Sequence, residues 1–178
     1  MNGICETARI ALRKTPSYIR ECGVSATFVR MAGNMNLGVK AFTSHECGRA
    51  ERDWSYTMQE YLSKHKLAPR VFAKFDYKEE GGETVYCLVT ECIDKTAFGD
   101  GSLSRDRKIS LEQKLVERLR KVGIDPFDVH WNNWGMLNGK PVSIDVAFFE
   151  IEEDWFDDRG IDPPEYPLGW DCAPSYNS

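Results

Sequence analysis

The sequence lacks several features that would assign it to a common functional class. It contains no run of about 18 apolar residues, so no segment is predicted to cross a membrane. It has only three histidines, and none of its six cysteines stands in a Cys-x-x-Cys pair, so a zinc site is not expected. It also lacks an excess of positive charge, because the formal net charge is −5. That balance argues against broad binding to nucleic acid or to an anionic membrane surface.

The composition is that of a globular protein with a core of its own. The 178 residues are 42% hydrophobic and 12% aromatic, and this length suits one domain or two small lobes. The cysteines are scattered along the chain, which favours reduced and mostly buried thiols. The first 16 residues carry charges on both sides of their apolar part and show no cleavage motif, so we expect a cytoplasmic location.

The N-terminal half has the pattern of a sheet that is interrupted by a helix. Apolar residues recur at helical spacing between residues 44 and 65, including Trp54, Met58 and Leu62. This spacing predicts one amphipathic helix. Alternating or continuous apolar stretches predict strands at 17–22, 27–32, 37–42, 70–77 and 84–93.

The C-terminal half is shorter and more helical. Residues 95–107 form a predicted loop, after which Ser110 begins a capping box and an apolar stripe continues to Gly123. Asn138-Gly139 then predicts a type I′ turn between two short strands. The acidic run at 150–158 is either a solvated face or a docking segment for a basic partner.

Two aspartates and an asparagine surround this hairpin. Asp128 and Asn133 lie on the segment that leads into the hairpin, and Asp145 ends the returning strand. The turn is therefore expected to bring Asp145 alongside Asn133, where a carboxylate and an amide oxygen can hold Mg²⁺. Asp128 stands apart and can accept a proton from a hydroxyl group. Taken singly, Asp128 is also explained as a solvated loop acid and Asn133 as a cap of its own loop.

The pattern Asp-x-His-x-x-Asn, followed by a hairpin that ends in Ile-Asp, resembles the catalytic and metal-binding loops of the protein-kinase-like superfamily. The histidine at the third position is similar to the aminoglycoside-phosphotransferase and atypical-kinase variants. The resemblance implies that Asp128 is the catalytic base. It also implies that Asn133 and Asp145 bind Mg²⁺ at the phosphates of ATP.

The N-terminal half extends this resemblance. Gly-Val-Lys40-Ala-Phe resembles the strand whose lysine contacts the α- and β-phosphates. The helix that follows implies a glutamate partner for Lys40, with Glu51 as the first choice and Glu46 and Glu60 as competitors. Taken alone, Lys40 is also explained as an edge-strand lysine that discourages aggregation.

The same resemblance assigns further nucleotide-binding residues. Thr90 would be the gatekeeper, and the backbones of Glu91 and Ile93 would bind adenine. The segment Gly23-Val-Ser25-Ala-Thr stands where the phosphate-covering loop belongs, so Gly23 and Ser25 are expected to contact the nucleotide. This segment has one glycine where the family has three.

The fold implied by the resemblance is α+β and protein-kinase-like, with two lobes. Residues 1–94 would form an N-lobe with an antiparallel sheet and one helix, and residues 95–178 would form a much reduced helical C-lobe. Asp145-Val-Ala147 replaces Asp-Phe-Gly, and the large substrate-docking lobe is not recognised after it. This brevity resembles that of the small kinase-like proteins of bacterial viruses.

Two functions are consistent with these residues. The first is an ATP- and Mg²⁺-dependent phosphotransferase that acts on a hydroxyl acceptor, with a protein as the first choice and a small molecule as the other. The second is a pseudokinase-like binding module that regulates a partner protein without phosphoryl transfer. Joint retention of Lys40, Asp128, Asn133 and Asp145 favours the enzyme, because a pure binding module does not need that set.

Overall fold

The computed structural model describes residues 2–15, 21–22, 26–31, 36–42, 48–93, 103–127, 129–130, 133–147 and 149–167. The helices in these ranges are α1 (Asn2–Lys14), α2 (Gly48–Lys64), α3 (Arg105–Arg120) and α4 (Glu153–Asp157). The strands are β1 (Glu21–Cys22), β2 (Ala26–Arg30), β3 (Leu37–Phe42), β4 (Val71–Lys78), β5 (Thr84–Glu91), β6 (Ile124–Pro126), β7 (Trp134–Leu137), β8 (Lys140–Ser143) and β9 (Phe149–Ile151). Of the helices described, none has the length and apolar character needed to cross a membrane.

Five strands of the N-terminal half form one antiparallel sheet, as predicted. The order across the sheet is β1-β2-β3-β5-β4, which makes β3 the central strand. In this register Lys40 lies opposite Phe28 on β2 and opposite Leu88 on β5. Helix α2 follows β3 and precedes β4 in the chain, as predicted, and the predicted α+β class is confirmed.

Helix α1 covers one face of this sheet, and the sequence patterns do not predict it. Its residues Ala8, Ala11 and Leu12 are at most 5% exposed. They pack against the side chains that the sheet directs to this face, which are Val29, Met31, Leu37, Val39, Ala41, Ala73, Phe75, Val85, Cys87 and Val89. The prediction of a sheet with a single helix is therefore incomplete, since α1 is an additional helix that buries one face of the sheet.

The first half of helix α2 lies at the opposite face of the sheet. Its Tyr56 packs against a cluster formed by Ala26, Phe42 and Leu88, which alternate in their strands with the residues under α1. The helix occupies most of the predicted range 44–65. It is followed by a turn in which Lys66 has a φ of 58°, a left-handed conformation that ends the helix.

Helix α3 begins earlier than predicted. The side chain of Ser104 accepts a hydrogen bond from the amide of Arg107 at 3.3 Å and so caps the helix. The predicted start at Ser110 is therefore wrong. The true start is not predicted because Ser104 lacks the glutamate or glutamine three residues later that marks a capping box. The predicted apolar stripe is confirmed, with the buried residues Leu111, Leu115 and Leu119.

Strands β7 and β8 form the predicted hairpin. Asn138 and Gly139 have φ angles of 51° and 75°, which are the two positive values that a type I′ turn requires. The turn sets a register in which Trp134 lies opposite Ser143. The residue just before β7 and the residue just after β8 are therefore held at a defined separation.

The acidic run carries a strand and a short helix that the sequence patterns do not predict. Strand β9 pairs with β6, and α4 comes next with Phe156 fully buried. Gly123 has a φ of 75°, and a Cβ added there would lie 2.6 Å from the rings of Trp155 and Phe156. The carboxylates of α4 are exposed, as a solvated face requires, and the docking role stays a prediction.

The chain divides into two compact units. The first includes the residues up to Tyr56 and Arg70–Cys92, and it contains α1, the five-stranded sheet and the first half of α2. The second includes Thr57–Pro69 and Ile93–Tyr166, with the rest of α2, the helices α3 and α4, and both two-stranded sheets. The lobe boundary expected between residues 94 and 95 stays a prediction.

We expect Leu12→Ala to lower the free energy of unfolding by about 2–4 kcal/mol, since truncating a buried leucine leaves a cavity. Leu12 is 2% exposed where α1 meets the sheet. The matched control is Ile10→Ala on the same helix, where Ile10 is 41% exposed and the loss should stay near 0.5 kcal/mol. Urea denaturation followed by circular dichroism measures both variants. Equal losses would contradict the packing of α1 on the sheet.

Candidate functional site

The backbone of Asn133 joins the segment before the hairpin to the segment after it. Its amide donates a hydrogen bond to the carbonyl of His130 at 2.8 Å. Its carbonyl accepts from the amides of Ile144 at 2.9 Å and Asp145 at 3.3 Å. The hairpin therefore brings Asp145 alongside Asn133, as the Asn-Gly turn predicts.

Ser143 contacts the backbone of both predicted metal ligands, Asn133 and Asp145. The sequence patterns do not identify this residue. Its side chain is buried, and its hydroxyl lies 3.0 Å from the carbonyl of Asp145 and 3.4 Å from that of Asn133. Its amide donates to the carbonyl of Leu67 at 2.8 Å. Because a buried hydroxyl needs an acceptor, Ser143 favours the arrangement in which both carbonyls are close to it.

The side chains of Asn133 and Asp145 present oxygen atoms that suit a hard cation. The Asn133 amide nitrogen lies 3.2 Å from Nε2 of His130, which is within hydrogen-bond distance. Oδ1 of Asp145 accepts from the amide of Ala147 at 3.4 Å, which orients the carboxylate. Mg²⁺ takes few protein oxygens and completes its shell with phosphate and water, so this pair fits it.

The backbone of Asn133 makes hydrogen bonds within its own loop, as the interpretation of Asn133 as a loop cap predicts. Among the described residues no group of three or more histidine, cysteine, aspartate or glutamate side chains could hold a metal. A metal here would depend on the asparagine oxygen together with the ligands that a phosphate supplies.

Several predicted site residues lie outside the described part of the chain. These are the catalytic base Asp128, the phosphate-loop residues Gly23 and Ser25, and the alternative glutamate Glu46. Their assignments stay predictions that depend on the family resemblance.

Lys40 lies in the middle of the sheet. Strand β3 is the third of five, so the interpretation of Lys40 as an edge-strand lysine is wrong. Its side chain is half-buried and shares a face of the sheet with Phe42, whose ring centroid is 5.1 Å from the ammonium nitrogen. The predicted contact of Lys40 with the phosphates of a nucleotide stays a prediction.

The predicted gatekeeper segment lies on β5 and just beyond it. The hydroxyl of Thr90 donates to the carbonyl of Arg70 at 3.1 Å. The amide of Glu91 donates to the same carbonyl at 2.9 Å, and its carboxylate accepts from the Arg70 amide at 3.3 Å. Ile93 is 8% exposed. The Glu91 amide is therefore paired within the sheet, and the predicted contacts of Glu91 and Ile93 with adenine stay predictions.

An ion-pair network ties the first half of α2 to β4, and the sequence patterns do not identify it. Arg52 is 6% exposed, and its guanidinium lies 2.8 Å from Asp76 and 2.9 Å from Asp53. Lys74 adds a contact of 2.7 Å to Asp53, and Arg49 adds one of 3.0 Å to Asp76. The network fixes the helix turn next to Glu51, which is itself half-buried, whereas Glu60 is exposed. The pairing of Glu51 with Lys40 stays a prediction.

The charges around Asp53 determine its protonation. Burial alone would raise the pKa of Asp53, but the hydrogen bond from Lys74 and the charge of Arg52 outweigh that effect and hold the pKa below its ordinary value of 3.8. A carboxylate with a lowered folded-state pKa stabilises the protein above its unfolded-state pKa, and it loses that contribution as the pH falls.

No protein-family model matches the sequence, and the search of curated proteins gives no match either. Among solved structures the chain is similar to WbdD, described as a bifunctional kinase-methyltransferase. The complex of WbdD with the kinase inhibitor LY294002 is 16% identical with a TM-score of 0.46, over 73% of this chain and 32% of that one. Two further WbdD structures are each 18% identical with a TM-score of 0.47. They cover 71% and 72% of this chain but only 30% and 31% of their own. The chain thus spans about a third of WbdD, and no activity follows from this level of similarity.

We expect Asp53→Asn to destabilise the protein at neutral pH and to have little effect in acid. The ion pairs of Asp53 contribute above about pH 3.8 and are lost as the pH falls through its lowered pKa. Urea denaturation at pH 7, 5 and 3 measures the difference between wild type and variant. Glu80→Gln, at an exposed turn acid, is the control and should show no such dependence. A difference that is independent of pH would contradict the network.

Proposed function

We propose that this protein is a phosphotransferase of the protein-kinase-like type, which uses ATP and Mg²⁺ to phosphorylate a hydroxyl group. The observation that carries the proposal is the return of the hairpin, which places the carboxylate residue Asp145 beside the amide residue Asn133. The order of the strands around α2 agrees with it. So does the position of Lys40 on the central strand.

Each residue has a separate role in the proposed reaction. The ammonium of Lys40 attracts the α- and β-phosphates as a point charge. Asn133 and Asp145 would hold Mg²⁺, which would neutralise charge on the phosphates. Asp128 accepts the proton of the acceptor hydroxyl while the oxygen of that hydroxyl bonds to the γ-phosphorus. The bond from that phosphorus to the bridging oxygen breaks, and ADP leaves.

The acceptor and the partner belong to the proposal as well. We take a protein hydroxyl as the first acceptor to test, with a small-molecule hydroxyl as the other. The pseudokinase alternative keeps a protein partner and removes the transfer step. The phosphate-loop segment has a single glycine, Gly23, and Asp145-Val-Ala147 stands where the family has Asp-Phe-Gly. Both departures favour the pseudokinase alternative, and an assay of phosphate transfer separates the two functions.

The two aspartates should fail in different ways if the protein transfers phosphate. Asp145→Ala removes a metal ligand, so it should weaken Mg·ATP binding and abolish transfer. Asp128→Asn removes only the proton acceptor, so it should leave binding nearly intact and slow transfer by about 10²–10⁴-fold. Calorimetry measures the affinity, and transfer of label from γ-³²P-ATP to lysate proteins measures the rate. Transfer at the wild-type rate by Asp128→Asn would overturn the catalytic assignment. Absence of transfer by the wild type would favour the binding module.

We expect Lys40→Met to weaken Mg·ATP binding by about 10- to 100-fold, because a charge-assisted bond to phosphate is worth roughly 1.5–3 kcal/mol. Lys78→Met is the matched control, since Lys78 is an exposed lysine on the edge strand β4 of the same sheet. Thermal unfolding of both variants checks that the sheet is intact. Equal affinities of Lys40→Met and wild type would remove Lys40 from the proposed site.

A further inference from the structure

Gly38, Lys40 and Thr90 line one strip of the sheet. Gly38 and Lys40 are two residues apart on β3, so their side-chain positions point to the same face. Thr90 lies directly opposite Gly38 across the ladder between β3 and β5, and such partners share a face. Gly38 therefore lies between the lysine at one end of the strip and the gatekeeper threonine at the other.

The proposed function gives this strip a task, and the inference rests on that function. If Lys40 contacts the phosphates and the segment of Thr90 and Glu91 receives the base, the base must lie over Gly38. A glycine at this point offers flat backbone that a planar ring can approach closely. The strip is thus the surface that an adenine base would cover.

The ring of Phe28 covers that surface. Phe28 lies opposite Lys40 in the ladder between β2 and β3, so its side chain points to the same face. A Cβ added to Gly38 would lie 2.1 Å from the ring atom Cζ of Phe28 and 2.8 Å from both Cε1 and Cε2. The tip of the ring thus occupies the space that the missing Gly38 side chain leaves.

We propose that Phe28 is a specificity-determining residue that covers the base-binding strip and must turn away before an adenine base can bind. A phenylalanine turns by changing its χ1 rotamer, and Phe28 is half-buried. Binding then requires a minor open state, so the apparent dissociation constant is the intrinsic one divided by the open fraction. A ligand that has phosphates but no base does not meet the ring.

The test compares three ligands on wild type and on Phe28→Ala. Calorimetry gives the affinities for Mg·ATP, for adenosine and for Mg·tripolyphosphate. We expect Phe28→Ala to bind Mg·ATP and adenosine about tenfold more tightly, as an open fraction near one tenth requires, and to bind tripolyphosphate as wild type does. Tyr77→Ala is the matched control, because Tyr77 is a half-buried aromatic residue that packs on the α1 face of the same sheet.

Each outcome decides something. Equal or weaker binding of Mg·ATP and adenosine by Phe28→Ala overturns the gate, and the proposed function stands because wild type still binds nucleotide. An equal gain for tripolyphosphate also overturns it, since the effect would not concern the base. If neither protein binds any adenine ligand, the gate and the proposed function both fail. Binding by Phe28→Ala alone supports both.

A second measurement uses the wild-type chain and does not depend on the folding of a variant. Fluorinated phenylalanine is incorporated, and the ¹⁹F resonance of Phe28 is identified with Phe28→Leu. We expect adenosine to shift this resonance and tripolyphosphate to leave it in place. A Phe28 resonance that ignores saturating adenosine would overturn the gate.

Discussion

The alternation of side chains along β3 is the constraint on which the rest of the N-terminal unit depends. Val39 and Ala41 point to one face and are buried in the core that α1 covers. Gly38 and Lys40 point to the other face, on the same side as Phe42, which packs with Tyr56 of α2. A register slip of one residue would exchange the two sets and bury the ammonium of Lys40 among aliphatic side chains. The hydrophobic requirement of one face thus determines which residues the other face presents.

A second register has the same effect in the other unit. The type I′ turn at Asn138 and Gly139 sets which residues of β7 and β8 face each other, and so it decides which residues meet at the open end of the hairpin. Asn133 and Asp145 meet for that reason, with Ser143 bonded close to both. The backbone bonds are made within the protein, so the two residues are held together without an added ion. Such preorganisation would lower the cost of binding the proposed Mg²⁺.

Local patterns explain why some elements can be predicted from the sequence. The Asn-Gly turn, the helical spacing of α2 and the apolar stripe of α3 depend on neighbouring residues. These elements can therefore be predicted from the sequence, although the start of α3 is missed because Ser104 has no capping-box partner. Helix α1 is also readable in principle, since Ile4, Ala8, Ala11 and Leu12 follow helical spacing, but small alanines make that stripe weak. Features that depend on residues distant in the sequence cannot be predicted from local patterns. The pairing of β9 with β6, the burial of Arg52 between two aspartates and the ring of Phe28 over Gly38 each require the tertiary register.

In the proposed function, Lys40 on the sheet and Asn133 with Asp145 beside the hairpin serve one nucleotide. The most direct measurement is a titration of the ¹⁵N-labelled protein with Mg·ATP, followed by amide chemical shifts. The account predicts that the amides of Gly38 to Ala41 and those of Asn133 to Ala147 shift with the same dissociation constant, and that removing Mg²⁺ weakens both responses. Shifts confined to one of the two segments, or two different dissociation constants, would contradict it.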